Sequence, residues 1–189
     1  MSVVDRYLTE LESVIHNLSR NDLELVVDSL MAAWREARQI FFIGNGGSAA
    51  TASHMMNDIN KLTISPGKRR FRGIALTDNM PLITAWGNDG SYADVFAEPL
   101  RNLMCPGDIL VVVSTSGNSP NVIRAVQVAR TEFGAHVIGI TGDVGGSLGA
   151  MVDLLVRIPS SHQGQQEDGH LIVNHVVCNA LAQRIRQSE

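Results

Sequence analysis

The 189-residue chain is poor in several things that define whole classes of protein. It has two cysteines, Cys105 and Cys178, far apart and without C-x-x-C spacing. That excludes a cysteine metal knuckle and a disulfide framework, and it points to a reducing, cytoplasmic setting. No stretch approaches the ~18 apolar residues of a membrane span, so no membrane partner is expected. The opening MSVVDRYLTELES is charged throughout and lacks the apolar core of a secretory signal. An excess of positive charge is also missing. Fifteen Lys and Arg face 19 Asp and Glu, a formal net charge of −4, so direct nucleic-acid binding is not expected. There is no G-x-x-x-x-G-K-[ST] loop, and Gly44 and Gly46 are not followed by a third glycine in the dinucleotide frame. No nucleotide cofactor is therefore expected. Repeats, low-complexity tracts and linkers are absent too. What remains is an ordinary globular composition, 44% hydrophobic and 18% charged, in a chain long enough to bury roughly 70% of its unfolded surface.

Two amphipathic helices open the chain. Val3, Val4, Tyr7, Leu8, Leu11, Val14, Ile15 and Leu18 recur at spacings of three and four, as do Leu23, Val26, Val27, Leu30, Met31 and Trp34. Asn21 or Asp22 is placed to cap the second. The first has little nearby sequence to pack on, and an oligomer would supply a partner. From residue 40 the pattern becomes short continuous apolar runs at Ile40–Ile43, Ile74–Leu76, Ile109–Val113, Val137–Ile140 and Leu154–Ile158. Such runs read as parallel strands covered on both faces. They alternate with helical stretches at about 48–62, 91–103, 119–133 and 167–186. The expectation is one α/β domain over residues 1–189, a doubly wound five-stranded parallel sheet. Residues 1–38 would be an oligomerising helical extension and 39–189 the sandwich. Ser65–Arg70 is expected to be loose.

In an open parallel sheet the carboxyl ends of the strands carry the ligand. Here they carry Gly44-Asn45-Gly46-Gly47-Ser48 and Ser114-Thr115-Ser116-Gly117-Asn118-Ser119. Glycines let successive N–H groups point into one concavity, the helix that follows adds partial positive charge, and the hydroxyls add donors. Ser119 is placed to cap the next helix. Together the loops suit a phosphate or a sugar phosphate. Among ionisable groups, His54 and Asp58 share a helical face, and Glu167, His170 and His175 fall on the last helix. Such sets suit a proton-transfer pair or a metal, and equally a histidine held by a neighbouring carboxylate. Asp89, in Trp86-Gly87-Asn88-Asp89-Gly90, reads as a turn residue. Lys68, Arg69, Arg70 and Arg72 form a basic cluster that is either solvated surface or an attractor of anions.

Gly44–Ser48, His54, Gly87-Asn88-Asp89, Ser114–Ser119, Thr141-Gly142 and a His-rich last helix, in this order, resemble the sugar isomerase (SIS) domain, and more narrowly the phosphoheptose isomerases. The resemblance covers nearly the whole chain. It implies a flavodoxin-like αβα sandwich and a homotetramer with active sites at subunit interfaces. It implies phosphate binding by Ser114, Thr115, Ser116 and Ser119, and a sugar site lined by Asn45, Gly46, Gly47, Ser48, Asp89 and Glu167. Isomerisation of sedoheptulose 7-phosphate through an enediol would use Asp58 as base and His175 as acid. Some members bind zinc, and His54, Asp58, Glu167 and His175 are the corresponding ligand set for zinc or another divalent ion. Departures are specific. Asp58 stands where the family has glutamate, Glu167 where it has glutamine, and Leu62 where it has arginine, with Lys61 adjacent. The competing reading is a non-catalytic SIS protein that binds a sugar phosphate or the replication initiator protein.

Overall fold

The computed structural model describes residues 1–188. In chain order the elements are α1 (Val3–His16), α2 (Arg20–Arg35), β1 (Gln39–Ile43), α3 (Gly47–Lys61), β2 (Arg72–Ala75), α4 (Met80–Asp89), α5 (Ala97–Leu103), β3 (Ile109–Ser114), α6 (Pro120–Phe133), β4 (His136–Gly142), β5 (Leu154–Ile158) and α7 (Gln163–Gln187). The strands form one parallel sheet in the order β2-β1-β3-β4-β5. This is the flavodoxin-like order, with its switch point between β1 and β3. The expected sandwich is therefore present.

The strands read as continuous apolar runs because both sheet faces are covered. Alternate residues face opposite ways. Ile40, Phe42, Ile109, Val111 and Val113 pack with α2, α3 and α7. Phe41, Ile43, Leu110 and Val112 pack with α5 and α6. The two helices that carry the candidate histidines, α3 and α7, thus share one face.

Several expectations need correction. Ser19, not Asn21 or Asp22, caps α2: its side chain accepts from the Asp22 N–H. The 80–89 stretch is a helix, started by the Asn79 side chain accepting from the Leu82 N–H and by Pro81 in its first turn. Asp89 is accordingly its last residue rather than part of a turn. The expected 91–103 helix is divided into a 3-10 turn at Tyr92–Asp94 and α5. Pro99 lacks an N–H and is tolerated in a helix only within the first turn, where it now stands. The last helix starts at Gln163, before the expected 167.

The Ser65–Arg70 segment is pinned. Trp34 Nε1 donates to the Arg69 carbonyl at 2.9 Å, and Arg69 donates to the Trp34 and Arg35 carbonyls that end α2. Arg72 donates to Ala37 O, and Lys68 to Ser188 O. These cations satisfy backbone carbonyls at the amino edge of the sheet, opposite the candidate loops, so they are not placed to draw an anion to those loops. At the other end of the molecule, α1 buries only Val14. It is held to the start of α7 by Tyr7 Oη donating to Asp168 Oδ2 at 2.7 Å and by Gln165 Nε2 donating to Glu10 Oε2 at 2.9 Å.

Candidate active site

The loops after β1 and β3 lie side by side because those strands are paired, and the switch point opens a crevice between them. Asn45 and Asn121 close its floor with reciprocal amide bonds of 2.9 and 2.8 Å, and Tyr92 Oη reaches Asn45 Oδ1 at 3.3 Å. Gly46 takes φ of 54° at the start of α3, where a side chain would be strained. Ser48 is buried. A side-chain carbon on Gly47 would lie 3.0 Å from a Glu167 carboxylate oxygen. Glu167 therefore sits against the amino end of α3, where the helix dipole favours negative charge. The anion at the first loop is supplied by the chain itself.

The second loop is open. Thr115, Ser116 and Asn118 line a cavity of about 380 Å³ with Val144, Gln163 and Gln166. Its frame is mostly main chain. Gly142 N–H donates to Thr115 O, Leu148 N–H to Gly117 O, and Ser147 N–H to Asn118 Oδ1. Gly117 has φ of 62°, and a Cβ there would strike the Gly145 carbonyl. Ser114 is buried and its Oγ accepts from Gly117 N–H at 3.1 Å, so it serves the frame first. Ser119 stands at the N-cap of α6 but makes no side-chain cap bond, contrary to expectation. Asp89 is exposed, and Asn88 Nδ2 donates to it at 2.7 Å.

Along the α3–α7 seam, His54, Asp58 and His175 converge, with one ligand atom of each within 4.8 Å of the others. Asp58 Oδ2 is 3.4 Å from His54 Nε2 and 3.8 Å from His175 Nε2. The Asp58 side chain is 14% exposed, against 43% and 50% for the two imidazoles, so the carboxylate is inside and the rings open outward. Glu167 does not join them. It precedes His175 by eight residues on one helix, about 12 Å of axial rise, and the expected four-ligand set is reduced to three within the chain. Sequence reasoning missed Asn174, which is fully buried and donates to Asp58 Oδ2 at 3.0 Å. It also left His170 without a place. That ring is buried against the sheet with neither nitrogen at hydrogen-bonding geometry. Burial lowers its pKa below the ordinary imidazole value, against the opposing influence of the nearby Thr141 backbone and Glu167.

The profile of the SIS domain family matches residues 6–142. The chain belongs to the SIS domain family. Among SIS relatives, the phosphoheptose isomerase of Rhodospirillum rubrum is 40% identical over 150 residues, 79% of each chain. That of Pelobacter propionicus is 34% identical over 185 residues, 95% of this chain and 97% of the other. The structure of phosphoheptose isomerase GmhA from Neisseria gonorrhoeae superposes with a TM-score of 0.84 at 30% identity, covering 95% of this chain and 98% of that one. No helix among the described residues is long and apolar enough to cross a membrane.

Proposed function

We propose that this SIS-domain protein is a phosphosugar isomerase of the phosphoheptose type, interconverting sedoheptulose 7-phosphate and glycero-manno-heptose 7-phosphate. The observation that carries this reading is the convergence of His54, Asp58 and His175 on the α3–α7 seam, in a chain that also carries an open loop of main-chain and hydroxyl donors. Phosphoheptose isomerases as relatives over most of the chain support it. In the reaction, Thr115, Ser116 and Ser119 with their backbone hold the phosphate, and Ser114 braces the loop. Asn45, Gly46, Gly47, Ser48, Asp89 and Glu167 border the sugar. Asp58 removes a proton from C1, and the electron pair forms the C1–C2 double bond of the enediolate. His175 gives a proton to the C2 oxygen and recovers one from the C1 oxygen, and the proton held by Asp58 returns to C2. Proton transfer by positioned groups of this kind contributes about 10²- to 10⁴-fold.

Two imidazoles and one carboxylate also fit zinc in an open, three-ligand catalytic site. His54, Asp58 and His175 would hold it, and when bound it supplies Lewis-acid polarisation of the sugar carbonyl. We further infer a homotetramer with active sites at subunit interfaces, in the cytoplasm. Supporting the assembly, α1 leaves Val3, Val4, Leu8 and Ile15 exposed, and both imidazoles open outward.

The test is NMR of the purified protein with sedoheptulose 7-phosphate in deuterated water, with and without zinc. Aldose phosphate signals and deuterium beside the carbonyl are expected. Perturbed sugar resonances with neither signal would leave a binding protein and overturn the enzymatic reading.

A further inference from the structure

Asp58 is short, so its carboxylate reaches the two imidazoles only if its direction is fixed. Its partners are unequal in that respect. His54 and His175 are largely exposed, and their 3.4 and 3.8 Å separations exceed hydrogen-bond length. Asn57, which donates to Asp58 Oδ1 at 3.2 Å, is exposed as well. Asn174 is fully buried, donates to Oδ2 at 3.0 Å, and comes from the opposite helix.

An amide has a donor end and an acceptor end, and a carboxylate can only accept. The Asn174 side chain must therefore present nitrogen to Asp58. Its oxygen then points to Cys178, one turn along α7, whose Sγ donates to Oδ1 at 3.3 Å. Burial, with the Asp58 charge adding to it, pushes the Cys178 thiol up to about 12, which keeps it protonated as a donor at neutral pH. The relay runs one way, from thiol to amide to carboxylate, and each member is oriented by the one before.

We propose that Asn174, oriented by Cys178, is the positioning residue that aims the Asp58 carboxylate between His54 and His175. This rests on Asp58 being the base. Displacing a reacting group by about an ångström costs about a hundredfold, so the relay is read in kcat rather than in KM.

The experiment compares kcat and KM for sedoheptulose 7-phosphate in the wild type, Asp58→Asn, Asn174→Leu, Cys178→Ala and Cys178→Ser. Asn174→Leu is expected to lower kcat about 10- to 100-fold with KM within about twofold. Cys178→Ala shares part of that loss, and Cys178→Ser restores it by returning a donor. In the Asp58→Asn background, Asn174→Leu adds nothing further. Asn174→Leu at wild-type kcat while Asp58→Asn is inactive overturns the positioning role and leaves the base assignment standing. Asp58→Asn at full activity instead overturns the base. For a variant that folds poorly, or a wild type without turnover on this sugar, the side-chain amide resonances of Asn174 decide. They are expected to move in both Asp58→Ala and Cys178→Ala, and resonances that stay put in both overturn the relay.

Discussion

The open loop and the His–Asp cluster are built by opposite means. In the 114–119 loop the shape is held by main-chain bonds from the 142–148 segment and by glycines that admit no side chain. Ser114 Oγ and Ser116 Oγ join that frame by accepting from the Gly117 and Asn118 N–H groups. In the cluster, every contributing atom is a side-chain tip on α3 or α7. The helices supply spacing, but direction comes from contacts such as that of Asn174 with Asp58. One region should therefore fail through backbone strain, and the other through loss of chemistry with the fold intact.

The sharpest way to separate them is Asp58→Asn, which keeps size and removes the proton acceptor. On the proposed reading kcat falls about 10²- to 10⁴-fold. KM and the melting midpoint move little, measured in the same isomerase assay and by calorimetry. Substrate binding lost along with kcat would show that the two regions are not independent. Gly117→Ala should do the reverse. The added Cβ meets the Gly145 carbonyl at a φ of 62°, and about 3 kcal/mol of destabilisation is expected. For a chain of this size that is a fall of about 6–12 °C in melting midpoint, accompanied by weaker binding of inorganic phosphate in calorimetric titration. The smallest effect at neutral pH concerns His170, which belongs to neither region. Its folded pKa lies below the unfolded value of about 6.5, so the unfolded state binds the proton first. Stability is unaffected above that value and is lost as pH falls through it, by at most about 1.4 kcal/mol per pH unit. Urea midpoints from pH 7.5 to 5.5 should show the loss, and His170→Leu should flatten it.

Much of the molecule is written in its local pattern. β1, β3 and β4 are apolar runs whose ends coincide with the candidate ligand loops, and their order makes the switch point fall between the two most polar of these. α4 was illegible because it buries none of its residues completely, so no apolar face marks it. The basic cluster was ambiguous because a cation near a helix end and a cation waiting for an anion look alike in one dimension. Glu167 misled for a geometrical reason. An angular offset of about 80° places it near the His175 face, but the axial rise over eight residues carries it to the amino end of α3 instead. Asn174 had no signal at all. A polar residue inside a helix gains meaning only when the opposite helix brings a carboxylate to it.

The interlock of Gly117 and Gly146 has a consequence for how this chain can change over generations. A Cβ on either residue strikes the other loop's backbone, so these two positions are closed to almost every codon change. Val144, which is exposed beside the cavity, carries no such restriction. On the proposed reading, a library selected for phosphate retention would thus lose variants at these glycines first, and would tolerate only exchange among donors at the hydroxyls. The loop is inherited as a shape, and on the proposed reading its hydroxyls can be exchanged only for other donors.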